Sequence, residues 1–159
     1  ISEYADKRWK LSDTLIPTEE RPVVFLSHLE HHSNELIWRE SIARCVVIRE
    51  NEQGLPDLRQ LEQELAHYES QNVPMIGSFS AGSNVTGIQT PVRIITRLLH
   101  KYGAFAFFDY AGTGAYVDID VTGNGGEDSM DAVFLSPHKF IGGPGSSGVL
   151  VARRKLFEG

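Results

Sequence analysis

Residues 91–109 read PVRIITRLLHKYGAFAFFD. Pro91 is a good opening residue for a helix, and Ile94, Ile95, Leu98, Leu99 and Tyr102 then fall on one apolar stripe. Gly103 stands where a helix ends on a left-handed residue. Ala104 to Phe108 follows as a nearly continuous apolar run, closed by Asp109. A run that is apolar on both faces suits a strand covered on both sides, as in a parallel sheet. Upstream, Met75 to Ser80 (MIGSFS) is a second strand-like run. Strand, helix and strand in succession make the crossover unit of an α/β domain.

The same rhythm extends both ways. Pro22 to Ser27 (PVVFLS) reads as a buried strand, followed by the polar cluster Glu30-His31-His32-Ser33-Asn34 and a helical stretch from Glu35 to Arg44. Cys45 to Arg49 (CVVIR) is the next strand. Gly54, Pro56 and Asp57 mark a turn; Asp57 is an N-cap with Gln60 as its capping-box partner, ahead of Leu58, Leu61 and Leu65 at helical spacing. Residues 110–129 form a long loop rich in Gly and Asp. Ala132 to Leu135 and Val149 to Ala152 are the last strands. The short glycine-rich turn Gly142 to Gly148 between them suits an antiparallel pair. The expected fold is α/β, a mostly parallel sheet flanked by helices over residues 22–159, with residues 1–21 an irregular lead-in.

The chain has 159 residues, enough for one domain with a core. Apolar residues at 41% and charged residues at 23% exclude a disordered or collagen-like chain. No apolar run approaches the roughly 20 residues of a membrane helix. The net charge of -6 argues against nucleic acid as the main partner. The single cysteine, Cys45, excludes an internal disulfide and any cysteine-cluster metal site, and reads as a small buried strand residue. The adjacent His31 and His32 lack a third ligand at metal-site spacing, so no metal is expected. No signal peptide is visible, which suggests a cytoplasmic location. The chain begins with Ile1, which suggests a piece of a longer chain. His67 and His100 are expected to be solvated on helices, and Arg153-Arg154 to be solvated surface.

In open α/β sheets, ligands bind outside the carboxyl ends of the strands. Four strand ends in succession carry chemistry: Glu30-His31-His32, then Ser83-Asn84, then Asp109, then Ser136, His138 and Lys139. Lys139, beside apolar Phe140 and near glycines, can be partly desolvated and act as a nucleophilic amine. Ser136 and His138 can donate to a phosphate, and Asp109 can pair with a protonated ring nitrogen. A Schiff-base lysine, an aspartate for a pyridinium and phosphate donors together describe a pyridoxal 5'-phosphate (PLP) site. The glycine-rich turn lacks the Walker ending of a nucleotide loop.

The segments Glu30-His31-His32-Ser33-Asn34, Ser83-Asn84-Val85-Thr86-Gly87, Asp109-Tyr110-Ala111 and Ser136-Pro137-His138-Lys139 with its following Gly-Pro-Gly resemble the class V aminotransferase family. The branch resembled most is that of cysteine desulfurases and selenocysteine lyases. The resemblance implies the large domain of PLP-dependent transferase fold type I. It also implies an amino acid as small-molecule substrate and a homodimer in the complete protein. By the same resemblance, Lys139 carries PLP covalently and then moves protons. Asp109 holds the pyridine nitrogen, His31 stacks on the ring and can assist proton transfer, Asn84 lies near the ring substituents, and Ser136 and His138 hold the phosphate.

Two departures stand out. The family pattern is Asp-x-Ala-Gln, and here the fourth position is Gly112. The upstream phosphate loop and the small C-terminal domain, with its arginine and sulfur-accepting cysteine, are not recognisable. The chain therefore resembles the middle of the large PLP-binding domain. Alternatives within the resemblance are transamination, epimerisation and kynureninase-like cleavage; outside it, a non-catalytic PLP-fold binding module.

Overall fold

The apolar runs become strands of a single sheet in the computed structural model, which describes residues 3–10 and 16–158. The strands are β1 (Val23–Ser27), β2 (Arg44–Ile48), β3 (Met75–Ser80), β4 (Phe105–Asp109), β5 (Ala132–Leu135) and β6 (Val149–Ala152). Their spatial order is β2-β1-β3-β4-β5-β6. Neighbours from β2 through β5 pair in parallel, and β6 runs antiparallel to β5, as the short turn before it suggested. The helices are α1 (Glu3–Trp9), α2 (His32–Arg39), α3 (Leu58–Glu69) and α4 (Val92–Lys101).

Strand alternation assigns the two faces. Phe25, Phe79, Ala106 and Phe108 join Leu61 and Leu65 of α3 and Ile95 and Leu99 of α4 in one buried core. Each such Leu or Phe contributes about 1.5–3 kcal/mol relative to exposure. The alternate residues face α2: Asn34 hydrogen-bonds Ser78, and the Trp38 ring lies 6.4 Å from Phe107. The chain thus steps outward from β1 to β2, then returns to lay β3 on the other side of β1. The helices following β1 and β3 cover opposite faces. That reversal opens a crevice at the carboxyl ends of β1 and β3, the position where such sheets bind ligands.

Several expectations need correction. The helix after β1 spans His32–Arg39, not Glu35 to Arg44. It starts early because the His31 imidazole caps it, accepting from the Ser33 backbone N–H. It stops early because Ser41 Oγ bonds back to the Trp38 carbonyl and accepts from Ala43 N, releasing Arg44 to pair with Val23. Within the lead-in, Glu3–Trp9 is helical, supported by the Arg8–Tyr4 contact one turn apart, and Thr18–Glu20 forms a short 3-10 turn; residues 11–15 lie outside the described residues. Asp57 does cap α3 through Arg59 N and Gln60 N, but the Gln60 side chain accepts instead from Arg49 N. Gly103 has the left-handed φ of 71° expected after α4.

His100 is largely covered and not solvated, whereas Arg153 is exposed as expected. Both bind Asp131, at 2.8 Å and 3.3 Å, and this buried carboxylate also accepts from Ala106 N at 2.8 Å. Arg154 is exposed as well. Cys45 is half-buried on β2; burial pushes its thiol up, Arg39 pulls it down and Glu35 adds to the rise.

Candidate active site

A cleft of about 360 Å³ lies at the carboxyl ends of β1, β3, β4 and β5. His31 and Ser33 enter it from the start of α2, and Ser80, Gly82 and Asn84 from the end of β3. Asp109, Ala111 and Gly112 enter from β4, and Ser136, His138 and Lys139 from β5. The six side chains singled out in the sequence, His31, Asn84, Asp109, Ser136, His138 and Lys139, therefore all line one cleft.

Asp109 is the buried member of the set, 9% exposed at the last position of β4. Its Oδ1 accepts from Ala111 N at 2.7 Å. No cationic side chain pairs with it among the described residues. Burying a carboxylate without a counter-charge is costly, so a cationic or N–H donor in the cleft would complete its surroundings.

Lys139 ends a 3-10 turn, Pro137–Lys139, held by the bond from Lys139 N to the Ser136 carbonyl. Lys139 and Phe140 are both exposed, so the desolvation suggested by the sequence is not supplied by the described residues. The turn rests on Gly143, where any Cβ would overlap the Pro137 carbonyl oxygen. Close backbone approach thus requires glycine there. Asn84 follows the buried Ser83, whose hydroxyl accepts from Val85 N and Thr86 N and shapes that loop.

The polar cluster after β1 divides its labour. His31 lines the cleft, while Glu30 and Asn34 bond to the sheet. The Glu30 carboxylate accepts from Ser27 N at 3.2 Å, Ser27 Oγ at 2.5 Å, Asn34 Nδ2 at 2.7 Å and Ser80 Oγ at 2.8 Å. Asn34 also accepts from Ser78 Oγ at 2.7 Å. These bonds fasten the His31 loop to β3. Sequence reasoning missed Ser33, Ser80 and Gly82 as cleft residues. The usable signal was position: Ser80 ends a strand, and Gly82 and Ser33 lie inside segments already noted.

A larger groove of about 790 Å³ lies between α3 and α4. Its Glu62 and Lys101 pair at 2.7 Å, holding the carboxyl below and the amine above their ordinary values. Glu62 and Lys101 there satisfy each other, whereas Asp109 in the smaller cleft has no counter-charge among the described residues. The smaller cleft is the better candidate.

A family profile described as "Aminotransferase class-V" matches residues 12–159. The chain belongs to the class V aminotransferase family. Enzymes of this family are PLP-dependent. A probable cysteine desulfurase of Chlamydia muridarum is 34% identical over 139 residues, covering 85% of this chain and 32% of that protein. Among solved structures, the cysteine desulfurase CsdA from Escherichia coli superposes with a TM-score of 0.71 at 26% identity, covering 91% of this chain and 34% of that one. A NifS-like protein from Rickettsia africae gives 0.68 at 26% identity, covering 86% and 35%. This class V aminotransferase chain thus has the large-domain architecture of PLP fold type I. It spans about a third of the length of the curated relatives it matches. No helix among its described residues is long and apolar enough to cross a membrane.

Proposed function

We propose that this chain is the cofactor-holding part of a PLP-dependent enzyme acting on an amino acid, of the cysteine desulfurase or selenocysteine lyase kind. The observation that carries the reading is the convergence of His31, Asn84, Asp109, Ser136, His138 and Lys139 on one cleft at the topological reversal of the sheet. The donor set fits the cofactor: a buried carboxylate with no cation beside it among the described residues, an amine at the cleft wall, and hydroxyl and imidazole donors on the same turn as that amine.

Lys139 would attach the cofactor and later carry a proton at Nζ. Asp109 would hold a protonated ring nitrogen. His31 would lie against the ring face, Asn84 beside its polar substituents, and Ser136 and His138 would hold the phosphate. The bound group supplies electron withdrawal from the substrate's α-carbon. The exposure of Lys139, His31 and Asn84 means that the described residues alone do not exclude water from the cleft, in keeping with a homodimer whose sites draw on both subunits. A cytoplasmic location belongs to the same reading.

One feature favours a second outcome for the same cofactor. At Gly112, a Cβ would stand 3.3 Å from the Asn84 Cβ, so the glutamine usual at this position would crowd Asn84. Transamination, epimerisation and kynureninase-like cleavage are the other outcomes open to the same cofactor. Incubating the longest natural form of the protein with PLP and cysteine or selenocysteine, then assaying alanine and persulfide or selenide, separates these. Formation of both products supports the desulfurase or lyase reading; PLP bound with neither product rejects it.

A further inference from the structure

His31 stands at the N-cap of α2, and its Nδ1 meets two groups of one residue. The Ser33 backbone N–H lies 3.2 Å away, and the Ser33 hydroxyl 2.8 Å away. A backbone N–H can only donate, so Nδ1 must offer its lone pair. The hydroxyl therefore donates as well, and its contact is the shorter of the two. With Nδ1 accepting, a neutral imidazole carries its proton on Nε2. Nε2 has no protein partner among the described residues, and the ring lines the cleft.

We infer that Ser33 is a positioning residue that locks the His31 ring with Nδ1 against α2 and the Nε2–H edge free for the cleft. The hydroxyl and the backbone N–H of Ser33 together fix ring orientation and tautomer, the hydroxyl by the shorter contact, so a group held in the cleft meets an N–H donor and not a lone pair. Glu30 supports this from behind by fastening the same loop to β3 through Ser80. The lock concerns this chain's own residues; its use in the cleft rests on the PLP reading.

The test begins with ring nitrogen spectra of the 15N-labelled chain at about pH 8, above the usual imidazole range. The His31 signals are assigned by their loss in His31→Gln. The parent should show Nδ1 unprotonated and Nε2 protonated. Ser33→Ala keeps the longer backbone N–H contact and loses the shorter hydroxyl one, so the two ring shifts should move part of the way towards each other as the second tautomer gains population, and Ser33→Thr should restore the parent pattern. Alanine is a strong helix former, so this variant keeps α2. A protonated Nδ1 in the parent, or ring shifts unchanged in Ser33→Ala, overturns the lock. The second readout is the visible band of PLP added to each protein. It should shift in Ser33→Ala and return in Ser33→Thr. A band that ignores Ser33→Ala while the ring shifts respond overturns the role in the cleft. A parent with no band counts against the PLP reading alone, and the ring spectra still decide the lock.

Discussion

Ser80 Oγ donates a 2.8 Å hydrogen bond to Glu30, joining the end of β3 to the loop after β1 across the crevice where the sheet order reverses. Glu30 thereby couples the two walls of the candidate site. Glu30→Ala would strip the acceptor from Ser27, Asn34 and Ser80 at once. Leaving buried donors unpaired costs about 1–3 kcal/mol each before relaxation, so a net loss of about 2–4 kcal/mol is expected. Urea denaturation of parent and variant measures it. A change under about 0.5 kcal/mol, the range of ordinary surface substitutions, would remove the structural role assigned to Glu30.

Asp109→Asn should leave Lys139 able to attach PLP but lower turnover in the longest natural form by roughly 100-fold or more, since a preorganised charge is lost. Borohydride trapping reads the attachment and product formation reads the turnover. Turnover near that of the parent would deny Asp109 its role.

Gly143→Ala forces the Pro137 carbonyl away and shifts the turn that carries His138 and Lys139. Misplacement by about 1 Å can cost roughly 100-fold at a reacting centre, so PLP attachment to Lys139 should slow by about that factor while the sheet survives. Circular dichroism and the rate of attachment separate the two effects. An unchanged rate would mean that the turn tolerates the extra atom.

Burial pushes the Cys45 thiol and the Tyr110 phenol up from their ordinary values. Their stabilising contribution is then full below the unfolded values. It is lost as pH rises through the folded ones, because the unfolded chain releases these protons first. Stability should therefore fall as pH climbs above about 8.5 for the thiol and about 10 for the phenol. Melting temperatures across this range should decline less steeply in Cys45→Ala and Tyr110→Phe. Parallel declines in all three proteins would assign the loss to other groups.

The strands were legible because apolar runs such as Ala104 to Phe108 need cover on both faces. The cleft was legible because polar residues follow those runs directly. The helix after β1 was misplaced because His32, Ser33 and Asn34 look like loop residues. Their helical state depends on a side-chain cap and on Asn34 reaching Ser78, 44 positions away. The partnership of His100 and Arg153 with Asp131 was hidden for the same reason: it links α4, the start of β5 and the end of β6. Lys139 looked desolvated beside Phe140, yet both residues are exposed in this chain.

The most direct test is to add PLP to the purified chain, record the visible spectrum, reduce with borohydride and map the modified residue. A visible band that ends with PLP fixed on Lys139 is the expected result. PLP fixed mainly on other lysines, such as Lys101 or Lys155, both in this chain and in the longest natural form, would contradict the assignment of the cleft.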